Sequence, residues 1–266
     1  MRAPTLSGLI IGFLVLFALF RALELRRPSE LRTPILRPGL ATDIAYWIFT
    51  PFAAHYVVGF AVLLAVAVIA VVIYGTLDKN LILGGFGPLA RLPYALQALL
   101  MLVIADVSGY WMHRLFHGRR LWRFHAVHHS SAALDWLSAT RVHPVNELLQ
   151  RLMTILPLLG LGFAPAAAAG VAPVLALFAI LLHANLDWDW GPLRSVIASP
   201  RFHRWHHSSE TEAQDKNFAG LFPVWDILFG TYYMPQDRLP RHFGTQTPVP
   251  PGLLGQLAFP FQRTSP

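Results

Sequence analysis

Ten of the twelve histidines in this chain fall between positions 113 and 207: His113, His117, His125, His128, His129, His143, His183, His203, His206 and His207. Eight of them form three boxes, an HxxxH pair at 113–117 and two HxxHH sets at 125–129 and 203–207. On a helix, residues three and four apart share a face, so each box aims its imidazoles the same way. Stacked imidazoles add nothing to packing, and protonated neighbours repel. A metal ion resolves the difficulty, because it binds several deprotonated ring nitrogens at once. The pattern therefore reads as a metal site, and ten imidazoles suit two ions with about five nitrogens each. His143 and His183 stand outside the boxes and join the set as single candidate ligands.

Imidazole sites take zinc, copper, iron and nickel. Cysteine is absent, which excludes a thiolate site, a disulfide framework and a catalytic thiol. A structural zinc uses four ligands, commonly with cysteine among them, so ten histidines without cysteine point away from one. An open position on either of two ions would give Lewis-acid or oxygen chemistry. Asp106 precedes His113 by seven residues and shares a stripe with Tyr110, His113 and His117, so it is a candidate to orient a ligand's second nitrogen. Asp135, Glu147, Asp187, Asp189 and Glu210 are weaker candidates, for which pairing with arginine is the plain alternative.

The elements that must position these rings are membrane helices. The chain has 266 residues, 55% hydrophobic and only 13% charged, about half the charge of a soluble domain. Its mean hydropathy is +0.47. Apolar runs at 5–23, 41–74 and 94–111 are long enough to cross a bilayer. Arg2 before the first run resembles the start of a signal peptide, but the run is too long and lacks a cleavage site, so an uncleaved span is expected. Pro51 should divide the second run into an interfacial piece and a span of about 55–74. The net charge of +7 comes from arginines in loops beside the spans, among them Arg26, Arg27, Arg32, Arg37, Arg114, Arg119, Arg120 and Arg123. That distribution matches positive-inside topology and anionic headgroups, not nucleic-acid binding. It places the boxes on the cytoplasmic side; the preference for arginine over lysine hints at a GC-rich bacterial genome, and a bacterial inner membrane is the expected location.

Pro144 opens a further apolar stretch reaching Leu182, broken by Pro157, Gly160, Gly162, Pro165 and Pro173. A single crossing would send the third box to the opposite face. A hairpin of two helices, about 145–163 and 166–185, returns His183 and the third box to the first two. The expected fold is an all-α integral membrane protein with about four transmembrane helices and a cytoplasmic histidine-rich helical cap. Residues 1–92 form the N-terminal helices and basic loop, 93–234 the metal-bearing unit, and 235–266 a proline-rich tail lying on the surface.

The motifs resemble those of the fatty acid hydroxylase and sterol desaturase superfamily of membrane di-iron enzymes. The similarity runs from Asp106 to Tyr232: DVSGYWMHRLFH ending at His117, WRFHAVHHS from Trp122, TRVHP around His143, HAN from His183, HRWHHS from His203, NFAG from Asn217 and WDILFGTY from Trp225. The resemblance implies two iron ions held by the box histidines, with His143 and His183 in matching motifs. It implies hydroxylation or desaturation of a lipid C–H bond with dioxygen, the lipid arriving laterally from the bilayer. A fused haem domain carried by some members is missing, so electrons are expected from a separate ferredoxin or b-type cytochrome with its reductase. A zinc-dependent membrane hydrolase is the alternative on ligand chemistry alone. A metal transporter would spread its ligands along the spans instead of clustering them.

Overall fold

The computed structural model describes residues 3–29 and 34–262, and these are helical with no strand beyond one isolated bridge between Ser208 and Phe243. Arg2, read above as resembling a signal-peptide start, and Arg32, counted among the basic flanks, lie outside the described residues. Helix α1 (Leu6–Arg26) starts at Thr5, whose hydroxyl accepts the Gly8 N–H at 3.1 Å. This cap satisfies one of the donors that a helix start leaves unpaired. Helix α2 (Leu40–Ala53) continues through a π-turn (Ala54–Val58) into α3 (Gly59–Tyr74), giving one apolar helix from Leu40 to Tyr74. The expected break at Pro51 is therefore absent. Proline removes one ladder bond, and the chain widens into the π-turn just beyond it instead of ending. Gly75, at φ 67°, stops α3 in the left-handed conformation that favours glycine.

A short α4 (Lys79–Gly84) precedes α5 (Tyr94–Phe116), which carries the first box at its C-terminal end. Helix α6 (Trp122–His129) carries the second box. Helices α7 (Pro144–Gly160) and α8 (Pro165–His183) form the hairpin that the prolines and glycines foretold, each opening with proline in its first turn. The tip of this hairpin docks on the loop after α4: the Phe86 N–H donates to Gly162 O at 3.0 Å, and Tyr74 Oη donates to Leu159 O at 3.0 Å. Gly162 has φ +80°, and a Cβ there would lie 2.8 Å from Gly87 N.

That docking puts the α3 and α7 C-termini with the α5 and α8 N-termini at one end of the bundle. The C-termini of α5 and α8 and the N-terminus of α7 are gathered at the other end. All three boxes and His183 consequently meet on one face.

Among the described residues three helical stretches are long and apolar enough to cross a membrane, Leu6–Arg26, Leu40–Tyr74 and Tyr94–Phe116, with a shorter apolar stretch at Val171–His183. Their outer surfaces expose Ile10, Leu14, Leu63, Val72, Val174 and Leu177. Such apolar patches are stable only against lipid or protein. Helix α5 packs along α7, and Gly109 lets them approach, since a Cβ there would stand 3.0 Å from Gln150 Nε2.

Helix α9 (Pro200–His206) carries the third box, with the Ser199 hydroxyl accepting the Phe202 N–H at 3.1 Å. Tyr110, Phe202, Trp205 and Phe218 build the apolar cluster beneath it. The short α10 (Val224–Leu228) follows. The tail is not merely a surface run. It forms α11 (Leu253–Ala258) and a turn ending at Phe261, and Phe259 is buried with Tyr46, Ala126 and Val127. Proline content hid this docking, because the anchoring comes from one aromatic ring and from Arg123, whose guanidinium donates to the Phe259 and Gln262 carbonyls.

Candidate metal centre

Nine histidines converge in two groups. His113, His117, His125, His129 and His206 form the first, and His128, His183, His203 and His207 the second; within each, the ligand nitrogens lie within 4.8 Å of one another. The boxes do not aim all their rings one way. The i and i+4 residues of α6, His125 and His129, serve the first group, while the intervening His128 turns to the second. In α9 the roles reverse: His203 and the capping His207 serve the second group and His206 the first. Helical geometry permits the split, because i and i+4 differ by about 40° around the axis and i+3 falls on the other side of i. The groups adjoin, with the His129 and His207 rings 4.3 Å apart.

Six Nδ1 atoms are engaged behind the rings. His113 donates to Phe218 O (2.8 Å), His128 to Arg141 O (3.1 Å), His183 to Ala179 O (2.7 Å) and His206 to Lys216 O (2.8 Å). His125 meets Asn146 Oδ1 at 2.8 Å and His117 meets Asp215 Oδ1 at 3.0 Å. A backbone carbonyl only accepts, so those four rings carry their proton on Nδ1 and present a bare Nε2. His128 Nε2 and His183 Nε2 nevertheless stand 3.1 Å apart. Two unprotonated nitrogens at that distance repel unless a cation lies between them.

The same spacing recurs at 3.0 Å for His113–His125, 3.2 Å for His183–His203 and 3.1 Å for His203–His207. Two nitrogens each about 2.1 Å from a common ion, at roughly a right angle, are separated by about 3 Å. Among the described residues the buried Nε2 atoms of His117 and His206 have no hydrogen-bond partner. The donor set fits two imidazole-bound metal ions.

Burial, and then the neighbouring imidazoles, hold His125, His129, His206 and His207 well below the usual histidine range. For His128 and His203 burial again dominates, followed by His183. Neutral rings are the ligand form. The Asp215 carboxylate, hydrogen-bonded to His117, is held below its ordinary value by that bond.

His143 joins neither group. Its Nδ1 accepts the Val145 N–H at 3.1 Å and its Nε2 donates to Leu257 O at 3.2 Å. It caps α7 and ties down the tail, so both nitrogens are occupied.

Asp106 also departs from expectation. It receives the Leu221 and Phe222 N–H groups at 2.8 Å and Trp225 Nε1 at 3.0 Å, and no histidine. Its role is to hold the loop after Phe218, a task shared with Asp226, which accepts from Phe218 N, Ala219 N and the Thr231 hydroxyl. Burial pushes the Asp226 carboxyl above its ordinary range. Asn217 staples the same segment to Phe202 O and Tyr233 O.

The weaker acidic candidates are spoken for: Asp135 by Arg37, Glu147 by Arg151, Asp187 by Arg201, Asp189 by the Gly191 N–H and Glu210 by Arg238. Asp215 and Asn146, which touch ligand rings directly, carry no signal in the sequence. Neither belongs to a box, and only the fold brings them to one.

Fold and site together define a helical membrane protein built around paired histidine clusters that could each hold a metal ion. The family model described as fatty acid hydroxylase matches residues 98–231, half of the chain, and the chain belongs to that family. It is similar to ornithine lipid hydroxylase OlsE of Rhizobium tropici, 37% identical over 172 residues, covering 64% of this chain and 52% of that protein. Alkylglycerol monooxygenase of Danio rerio is 33% identical over 135 residues, 50% of this chain and 30% of that one. Methylsterol monooxygenase 1 of Gallus gallus is 31% identical over 141 residues, 48% and 43% respectively. The chain thus spans about half or less of the curated relatives it matches. No solved structure matches it.

Proposed function

We propose that the chain is a membrane-bound, iron-dependent oxygenase that hydroxylates a lipid, with His113, His117, His125, His129 and His206 holding one iron and His128, His183, His203 and His207 the other. The observation that carries this reading is the His128–His183 contact, two bare Nε2 atoms facing each other with both Nδ1 protons committed to carbonyls. Iron so held supplies dioxygen reduction and attack on an unactivated C–H bond. The relatives are named hydroxylases and monooxygenases, which favours oxygen insertion over desaturation.

The protein's own contribution is orientation and exclusion. The carbonyls of Phe218, Arg141, Ala179 and Lys216 fix each ring's tautomer before any ion arrives. Tyr110, Phe202, Trp205 and Phe218 close the apolar floor against water. The three spans and the α7–α8 hairpin present lipid-facing walls, so a substrate reaches the centre from within the bilayer. The arginines flanking α5 and α6 support a multi-pass topology with the centre on the cytoplasmic side of a bacterial inner membrane.

Hydroxylation consumes one O2, two electrons and two protons and yields alcohol and water. The electrons come from a separate ferredoxin or b-type cytochrome. Arg119 and Arg120 are exposed beside His117, whose partner Asp215 is the exposed end of the first group, and offer an acidic carrier a landing surface.

Metal analysis of protein purified from membranes, with reductant-dependent oxygen uptake on extracted lipids, tests the proposal. Two irons per chain and uptake lost in His128→Ala and His206→Ala are expected. Zinc in their place, with hydrolysis that proceeds without oxygen, overturns it.

A further inference from the structure

The carbonyl that fixes His128 belongs to Arg141, and the Arg141 side chain is part of a buried charge network outside both metal groups. Its guanidinium binds Asp43 Oδ1 (2.6 and 2.7 Å). Asp43 Oδ2 binds Arg37 at 2.7 Å, and Arg37 in turn holds Asp135. Asp43 is fully buried and Arg37 and Arg141 nearly so. Two arginines and two aspartates balance in charge, which is the condition under which such groups are tolerated away from water.

Arg141 also donates to the Ser130 hydroxyl at 3.0 Å, at the cap of α6 directly after His129, and the Thr50 hydroxyl of the α2 helix donates to Thr140 O at 2.9 Å. Apart from the internal Arg141–Ser130 bond, these contacts tie the segment 130–141 to helix α2 or to the loop before it. The first group draws its orienting acceptors from elsewhere, namely Phe218, Asp215, Lys216 and Asn146.

We propose that Asp43, acting through Arg37 and Arg141, is a positioning residue for the second metal group alone: helix α2 sets the Arg141 carbonyl, and that carbonyl sets His128. The inference rests on the metal reading above. Asp43 and Arg37 lie before the stretch matched by the family model, so the N-terminal helices serve the centre as well as anchoring it. Removing the Asp43 charge would leave the network with a net positive charge next to a site that must accept cations. It would also release Arg141 from the α2 helix.

The test is titration of full-length, metal-free protein in detergent with Co2+, following the visible bands of each position. His128→Ala and Asp215→Asn serve as references for the second and first positions. Asp43→Asn is expected to weaken Co2+ binding tenfold to a hundredfold at the position that His128→Ala removes, leaving the position sensitive to Asp215→Asn unchanged. Arg141→Gln, which keeps the backbone carbonyl but loses the anchor, should weaken the same position, and it carries the test if Asp43→Asn fails to accumulate. Equal weakening of both positions, or of neither, overturns the proposal while leaving the metal reading intact. Wild-type protein that binds no Co2+ overturns both.

Discussion

Removing metal should turn the histidine cap into an acid-labile structure. His125, His128, His129, His203, His206 and His207 are all held well below the ordinary imidazole range, chiefly by burial. In an unfolded chain they titrate near pH 6.5. A depressed folded value means that stability is intact above pH 6.5, where neither state binds the protons. It is lost as pH falls, because only the unfolded chain takes them up. Each such residue removes about 1.4 kcal/mol per pH unit below that point. At pH 5.5 the six together remove on the order of 8 kcal/mol, comparable to the whole ~5–15 kcal/mol of a typical domain.

The assay is thermal unfolding of chelated protein in detergent from pH 7.5 to 5.5, read by tryptophan fluorescence. Trp122 lies 5.1 Å from His117 and 5.4 Å from His129 and reports the cap directly. A steep fall in Tm is expected, and metal at about a hundredfold over its Kd should restore roughly 2.7 kcal/mol. A chelated protein whose Tm stays flat across this range would refute the claim that the rings form a neutral, ion-seeking cluster.

His128→Ala should lower metal content, whereas His143→Ala should leave it at the wild-type value and cost about 1 kcal/mol of stability through the lost α7 cap; metal analysis beside thermal melts separates the two. Asp226→Ala strands the Phe218 and Ala219 N–H groups, a loss of about 1–3 kcal/mol for each, and weakens metal binding through His113 by freeing the Phe218 carbonyl. Denaturant melts and Co2+ titration check both. Gly162→Ala should destabilise by at least about 1–2 kcal/mol, because its φ is left-handed and a Cβ would strike Gly87. Gly160→Ala, where nothing lies within 4 Å, is the matched control and should be neutral or slightly stabilising. Arg119→Glu with Arg120→Glu should raise the KM for an acidic protein donor, with the difference fading as salt increases, and leave chemical reduction by dithionite unaffected.

The residues that could be interpreted from the sequence are those whose meaning lies in spacing. The intervals of three and four between histidines predict shared helical faces, and Pro157, Gly162 and Pro165 predict the hairpin that returns His183 to the boxes. The features that could not be seen depend on what faces what in space. No interval indicates that His128 parts company with His125 and His129, because the partition is decided by where α5 and α9 arrive. His143 sits in a motif like the others, yet the N–H of Val145 and the carbonyl of Leu257 claim its nitrogens. Asp106 shares a stripe with His113, but the loop at 221–225 reaches its carboxylate first. The helix runs through Pro51 because the π-turn at Ala54–Val58 absorbs the missing donor without ending it.

The interleaving of α6 and α9 across both groups constrains how this chain can vary. Each short helix is a rigid piece contributing to two destinations, so neither destination can be rebuilt, emptied of its ligands or resized by moving one helix without disturbing the other. A single residue inserted within either would rotate the following rings by about 100° and misdirect them all. Lengthening the connectors between helices carries no such penalty. Tolerance to length change should therefore fall sharply inside the two HxxHH segments and recover just beyond their ends.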